Sequence, residues 1–371
     1  MRLNLLHVVG ARPNFMKVAP VMHALAKLDD VRQTLVHTGQ HYDGNMSEVF
    51  FSQLGIPNPD LNLEVGSGSH ARQTAEIMCR FEELALERNP ELALVYGDVN
   101  STVAASLVCS KLLIPVGHVE AGLRSFDRTM PEEINRILTD QIADLLFTPS
   151  SDGNANLLRE GVALEKIHLV GNVMIDTLVR LQELATDSKK LKKVKQKYLD
   201  LTKQDNSVYA LVTLHRPSNV DNPELLIEIM KALEEISNDI PLLFPIHPRT
   251  REHLRALGLE IDRHSLRLID PVGYLEFLSL QKGAAFVITD SGGIQEETTF
   301  LGIPCLTVRE NTERPITVEL GTNILVGQNM ARLKEEVHKI LGGKAKKGKV
   351  PPLWDGKAGE RIAEVISEWG Q

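Results

Sequence analysis

The chain has 371 residues, long for one domain and comfortable for two, and its 43% hydrophobic and 24% charged residues are those of an ordinary folded protein without disorder. A net charge of −8 argues against a general nucleic-acid binder and leaves a small molecule, its anionic part held in a local basic cleft, as the expected partner. Three cysteines, Cys79, Cys109 and Cys305, without CxxC spacing, point away from a disulfide framework or a zinc site and fit a reducing cytoplasm.

The chain opens on MRLNLLHVVGARPNF, where a short apolar run leads straight into Gly-Ala-Arg-Pro with no small-residue cleavage site and no stretch long enough to span a bilayer. It reads as a first buried strand, and neither secretion nor membrane insertion is expected. Apolar runs rich in Val, Ile and Leu then recur at helix-length intervals: LNLLHVV, RQTLVHT, ELALVYG, IPVGHV, DLLFTP and KIHLVG in the first half, VYALVTL, PLLFPI, LRLID, AFVIT, PCLTV and TNILVG in the second. This is the pattern of parallel strands covered on both faces, and it predicts an α/β protein of two doubly wound Rossmann-like domains. Between them a lysine-rich segment from residue 176 to 207 reads as a solvated helix face and linker.

Ligands in such folds bind beyond the carboxyl ends of the strands, so the polar residues after each apolar run carry the functional reading. After the first strand, GARPNFMK offers a tight turn at Gly10, with Arg12 and Lys17 either reaching a phosphate or simply solvated. GSGSHA, residues 66–71, matches G-x-G-x-x-A, but the LNLEV before it is a poor strand, and no dinucleotide cofactor is expected. YGDVNST puts Asp98 at a strand end, as an acid or as an N-cap. HVEAGLRSFD supplies His118 and Glu120 on alternate positions, a conceivable metal pair that lacks further ligand spacing, so no metal is expected. MPEEINR starts a helix, with Glu132 and Glu133 favoured by its dipole. Asp98, Glu120 and Glu132 all fall on the strand-carboxyl side, where converging acids suit general acid–base work.

In the second half TLHRPSNVD sets His215 and Arg216 after a strand, and PIHPRT sets His247 and Arg249 after the next. DSGGIQEE ends a strand on two glycines and opens a helix: Ser291, Gly292 and Gly293 form a candidate phosphate cradle, and Glu297, too deep to cap the helix, suits a ribose diol. RENTERPIT adds Arg309, Glu310 and Arg314.

The motifs GARPNFMK, TGQHYD, YGDVNST, HVEAGLR, PEEINR, DSGGIQEE, RENTERP and DGKAGERI resemble, in order and spacing from about residue 3 to 365, the non-hydrolysing UDP-N-acetylglucosamine 2-epimerase family. The resemblance implies a GT-B fold, with a first Rossmann-like domain over residues 1–172, a second over 173–355, the two facing a central cleft, and a last helix over 356–371 returning to the first. It implies interconversion of UDP-N-acetylglucosamine and UDP-N-acetylmannosamine without metal or nicotinamide, by expulsion of UDP to a 2-acetamidoglucal and its re-addition. The family's catalytic set falls on Asp98, Glu120, Glu132 and His215, and its UDP site on Ser291, Gly292, Gly293 and Glu297. Arg12, Lys17, His247 and Arg314 are the expected contacts to phosphates and sugar, and a cytoplasmic homodimer is the expected form.

Two departures stand out. HRPSNVD replaces the family's more frequent His-Arg-Arg-Glu-Asn or His-Arg-Ala-Glu-Asn, and Asp43 in TGQHYDGNM stands where many bacterial members carry Gln or Glu in an activator pocket. Gln40, His41 and Arg72 remain as candidates for that pocket, with allosteric activation in question. Competing expectations are a GT-B glycosyltransferase, a nucleotide-sugar-binding regulator without turnover, and an epimerase of a related sugar such as a UDP-2,3-diacetamido-uronic acid.

Overall fold

The computed structural model describes residues 3–40, 54–185, 197–198, 208–259 and 265–370. Most of the lysine-rich segment, together with His41 and Asp43, lies outside these residues. The chain forms two compact units, the first comprising Met1–Leu178 and Pro352–Gln371, the second Val179–Pro351.

The first unit holds a seven-stranded parallel sheet of β1 (Leu3–Val9), β2 (Val31–His37), β3 (Leu61–Asn62), β4 (Leu92–Tyr96), β5 (Val116–Val119), β6 (Leu145–Thr148) and β7 (Ile167–Leu169), in the order 3-2-1-4-5-6-7. β1 aligns Leu3 with Val31 on one side and Leu5 with Leu92 on the other. The central strands are largely apolar because helices cover both faces; all five residues of β4 are buried. The order reverses between β1 and β4, so the chain ends leaving these two strands diverge and open a crevice at their carboxyl edge. The second unit repeats the plan with β8 (Ala210–Thr213), β9 (Leu242–Pro245), β10 (Leu266–Ile269), β11 (Val287–Thr289), β12 (Cys305–Thr307) and β13 (Asn323–Leu325), in the order 10-9-8-11-12-13. Its reversal falls between β8 and β11.

The LNLEV stretch contributes only the two-residue edge strand β3, paired to β2 through Val36–Leu61 and His37–Asn62. The final helix, Ala358–Trp369, packs on helix Arg12–Leu25 of the first unit. The approach is close because residue 359 is glycine: a Cβ there would come 2.6 Å from the carbonyl oxygen of Pro20. Ile362 and Ile366 are fully buried, each worth roughly 1.5–3 kcal/mol of apolar transfer. Asp176 accepts the N–H groups of Ala358 (3.1 Å) and Gly359 (2.7 Å), supplying the helix start with the partners its first turn lacks. Among the described residues no helix is long and apolar enough to cross a membrane. All three cysteines are free thiols; Cys79 is exposed, and burial pushes Cys109 up to about 12 and Cys305 up to about 11.

Candidate active site

The polar residues of the first unit gather at the β1/β4 switch point. Gly10 ends β1 where a side chain would collide with the hydroxyls of Ser101 and Thr38, so only glycine lets the β1 turn sit this close to helix Asn100–Lys111. The turn is tied down by Asn14, which accepts the N–H groups of Gly10 and Ala11, both at 3.0 Å, and donates to the carbonyl of Tyr96 at 2.7 Å. This fastens the ends of β1 and β4 together and fixes helix Arg12–Leu25, whose buried Lys17 pairs with buried Glu120 at the end of β5. Arg12 opens that helix at an exposed position.

Glu120 has φ +77°, a left-handed backbone that is unusual for a glutamate. The conformation is held because the N–H groups of Glu120 and Ala121 both donate to the carbonyl of Phe147, at 3.1 and 3.0 Å. Its neighbour on β5, His118, is fully buried with Nδ1 2.6 Å from Asp140 and Nε2 2.9 Å from the Gly97 carbonyl. Both ring nitrogens are thus engaged within the protein. Asp140 also pairs with Arg124 at 2.7 Å, and its carboxyl, which burial alone would push up, is held below its ordinary range by His118 and Arg124. Among the described residues no group of three or more His, Cys, Asp or Glu side chains is arranged to hold a metal ion.

Asp98, just beyond β4, and Glu132, in the first turn of helix Pro131–Ile142, line one pocket of about 270 Å³. Gln40, Ser67, His70 and Asn100 share the lining; Glu120 and Arg72 do not. Asp98 is paired with Arg136 on the next turn of the same helix as Glu132. Arg136 is held in turn by Glu133 (2.6 Å), and Glu133 accepts the N–H groups of Ser125 and Phe126, both at 2.9 Å. Burial pushes Glu133 up, but the Ser125 N–H and Arg136 outweigh it and the carboxyl lies below its ordinary range. One buried carboxylate therefore shapes the loop before the helix and aims the guanidinium at Asp98.

Gln40 accepts from the N–H (3.0 Å) and hydroxyl (2.7 Å) of Ser101, and Gln73 donates to the Gln40 carbonyl and accepts from Asn100 at 2.8 Å. His70 lies 3.2 Å from Asn100. The GSGSHA loop, read from sequence only as a failed dinucleotide motif, thus forms a wall of the acid-lined pocket. Exposed Arg72 bonds Ser69 Oγ through its backbone N–H (3.4 Å) and His41 lies outside the described residues, so of the three residues expected at an activator pocket only Gln40 lines the pocket of Asp98 and Glu132.

In the second unit His215 and the DSGG turn meet at the β8/β11 switch point. Asp290, fully buried, accepts the N–H groups of His215 (3.0 Å) and Arg216 (2.9 Å) and faces His215 Nδ1 at 3.0 Å. The His215 side chain is half exposed. Ser291 precedes helix Gly292–Leu301, and Gly292 is a close approach: a Cβ would come 2.5 Å from the Arg314 guanidinium and 2.7 Å from Glu313. Arg314, expected at phosphates or sugar, is buried between Glu313 (2.6 Å) and Glu296 (2.8 Å), so it enters the site with its charge already compensated. Burial pushes Glu313 up, but Arg314 and Arg309 overcome this and hold it well below its ordinary range. Glu297 is buried, accepts the Tyr274 hydroxyl at 2.9 Å, and is pushed up to about 7 by burial, with Glu296 adding to the effect. His247 is the N-cap of its own helix, Pro248–Ala256, its Nδ1 accepting from Arg249 at 3.3 Å.

Sequence reasoning missed Arg136, Asp290, His70 and Gln73. Arg136 had a signal, since Glu133 and Arg136 stand three apart on one helix face. Asp290 is the first residue of a motif whose glycines drew the attention. His70 and Gln73 had none, because the wall they form comes from chain returning past a sheet edge.

Two parallel α/β units with polar clusters at both switch points place the chain in the GT-B structural class, among enzymes. The family model described as UDP-N-acetylglucosamine 2-epimerase matches residues 23–367, and the chain belongs to that family of epimerases. A UDP-N-acetylglucosamine 2-epimerase of Methanocaldococcus jannaschii is 44% identical over 365 residues, covering 97% of this chain and 98% of that one. A UDP-2,3-diacetamido-2,3-dideoxy-D-glucuronate 2-epimerase of Pseudomonas aeruginosa is 42% identical over 369 residues, covering 99% and 100%. The crystal structure of the Methanocaldococcus jannaschii UDP-GlcNAc 2-epimerase in complex with UDP-GlcNAc and UDP superposes with a TM-score of 0.90 at 42% identity, over 99% of this chain and 100% of that one.

Proposed function

We propose that the protein interconverts UDP-N-acetylglucosamine and UDP-N-acetylmannosamine by elimination and re-addition of UDP. The observation that carries this reading is the first-unit acid cluster: Asp98 and Glu132 line one pocket, and Glu120 is held at the adjoining strand end in a backbone conformation that glutamate rarely adopts. Such carboxylates suit the problem. The hydrogen on C2 has no carbonyl beside it within the ring, so a base removes it only as the C1–O bond to UDP breaks. The C–H electron pair becomes the C1=C2 double bond of a 2-acetamidoglucal, and the C1–O pair leaves with UDP. Return of a proton to C2 on the opposite face, with re-addition of UDP oxygen at C1, yields the epimer. Asp98, Glu120 and Glu132 supply the proton transfers and the charge stabilisation at the sugar.

On this reading Lys17 and Arg136 pair with Glu120 and Asp98 and aim them rather than binding phosphate first. His215 and the Ser291-Gly292-Gly293 helix start hold the diphosphate, with Arg12, His247 and Arg314 as further contacts, and Glu297 takes the ribose hydroxyls. The working form is a cytoplasmic homodimer, which sedimentation of the purified protein checks.

A second reading has a specific observation behind it: the Pseudomonas aeruginosa enzyme named for a diacetamido uronic acid is 42% identical, close to the 44% of the Methanocaldococcus jannaschii UDP-N-acetylglucosamine 2-epimerase. Proton NMR in heavy water decides between them. Deuterium at C2 of both UDP-N-acetylglucosamine and the growing manno epimer supports the first reading. Exchange only with the UDP-2,3-diacetamido-glucuronate supports the second, and no exchange with either removes both.

A further inference from the structure

The two oxygens of Asp290 share the backbone N–H of His215, at 3.0 Å from Oδ2 and 3.2 Å from Oδ1, but otherwise face different groups. Oδ2 accepts three donors, the N–H of His215 at 3.0 Å, the N–H of Arg216 at 2.9 Å and the side-chain amide of Asn219 at 3.1 Å. Oδ1 faces Nδ1 of His215 at 3.0 Å. Asn219 is itself pinned by the Val308 carbonyl at 2.9 Å, so its amide nitrogen cannot turn away from Asp290. The carboxylate is fully buried, whereas the imidazole it holds is half exposed.

We infer that Asp290 is a positioning residue for His215: it holds the proton of the neutral ring on Nδ1 and presents Nε2 outward to the ligand. A carboxylate with no proton can only accept, so the ring nitrogen facing it must be the donor. Nε2 is then the atom that meets the leaving diphosphate, as a donor once the ring is charged, since the diphosphate, like the carboxylate, can only accept. In the charged ring, the buried carboxylate also compensates the positive charge from behind. Burial pushes the Asp290 carboxyl up, but His215 and the surrounding donors keep it below its ordinary range, which is consistent with an acceptor throughout.

This asymmetry makes the test sharp. In Asp290→Asn the amide oxygen takes the Oδ2 position, because three donors converge there against the single, longer His215 N–H contact at Oδ1, and the NH₂ group then faces His215 Nδ1. A donor in that position inverts the tautomer, moving the ring proton to Nε2. The comparable swap in serine proteases is the precedent for such an inversion of the tautomer.

Nitrogen-15 NMR of histidine-labelled protein, with His215→Asn identifying the resonance, reads the tautomer directly at a pH where the ring is neutral. The expected result is a protonated Nδ1 in the unsubstituted protein and a protonated Nε2 in Asp290→Asn. A protonated Nε2 already in the unsubstituted protein overturns the inference. The kinetic arm rests on the proposed function: Asp290→Asn should lower kcat roughly 10- to 100-fold with KM changed far less. Adding it to His215→Asn should cost nothing more. An equal loss with and without the imidazole would mean that Asp290 only shapes the loop, and would also overturn the inference. Because the NMR needs no substrate, failure to turn over UDP-sugars would count against the proposed function and leave the tautomer result to stand by itself.

Discussion

Gly97 lies directly against the ammonium of Lys17: a Cβ in its place would come 2.5 Å from Lys17 Nζ and 3.2 Å from Glu120 Oε2. The same residue has φ +66° and offers its carbonyl to His118 at 2.9 Å, so one glycine leaves room for a buried ion pair and braces β5. Gly97→Ala is expected to lose about 1–2 kcal/mol from the left-handed backbone alone, and the displaced ammonium adds to the loss. Urea unfolding measures the first effect. A fall in kcat larger than the stability loss explains would report the disturbed Lys17–Glu120 pair.

The three carboxylates should fail in chemistry rather than in binding. Asp98→Asn, Glu120→Gln and Glu132→Gln are each expected to lower kcat by roughly 10²–10⁴ while leaving the affinity for UDP, measured by calorimetry, within a few-fold. Loss of UDP binding in step with kcat would instead assign these residues to ligand binding alone.

Glu133 supports the site without belonging to its pocket lining. Removing it in Glu133→Ala leaves Arg136 short of a buried partner and orphans the Ser125 and Phe126 N–H groups, a loss on the order of 3–5 kcal/mol. Thermal unfolding checks this, and a change within about 1 kcal/mol would mean that water replaces the carboxylate.

Glu297 gives the second unit a pH signature. Its carboxyl is pushed from 4.5 up to about 7, so between those values the folded state holds a proton that the unfolded state has lost. Stability from this group is therefore fully present below about pH 4.5 and lost as pH rises through about 7, by as much as about 3 kcal/mol. Asp290 and Glu313 act with the opposite sign, since their lowered values contribute stability above the ordinary carboxylate range that is lost in acid. Glu297→Gln should flatten the fall between pH 5 and 8 in denaturant titrations. If the ionised carboxylate takes ribose hydroxyls, UDP affinity should rise over the same interval in the unsubstituted protein and stay flat in the variant.

Much of the fold was legible because its signals are local. A parallel strand buried on both faces must be apolar at nearly every position, so LNLLHVV and AFVIT announce β1 and β11 without reference to the rest of the chain. The edge strand β3 was not legible, because two residues at a sheet margin need no apolar run. Asp98, Glu132, His215 and Ser291 were legible as polar residues just past strand ends or at helix starts, where open α/β sheets bind ligands. Their partners were not.

Residue types and their position along each βα unit were decided by the sequence itself, since hydrophobic period, prolines in first helical turns and glycines at strand ends act over a few residues. The pairings were decided by tertiary structure. Lys17 meets Glu120 across 103 positions, and His215 meets Asp290 across 75. Each contact exists because the strand order reverses at a switch point and brings together the ends of strands distant in sequence. Once buried there, a charge must find a counter-charge or donors close by, so the fold sets which acids are held ionised and which, like Glu297, are pushed toward neutrality.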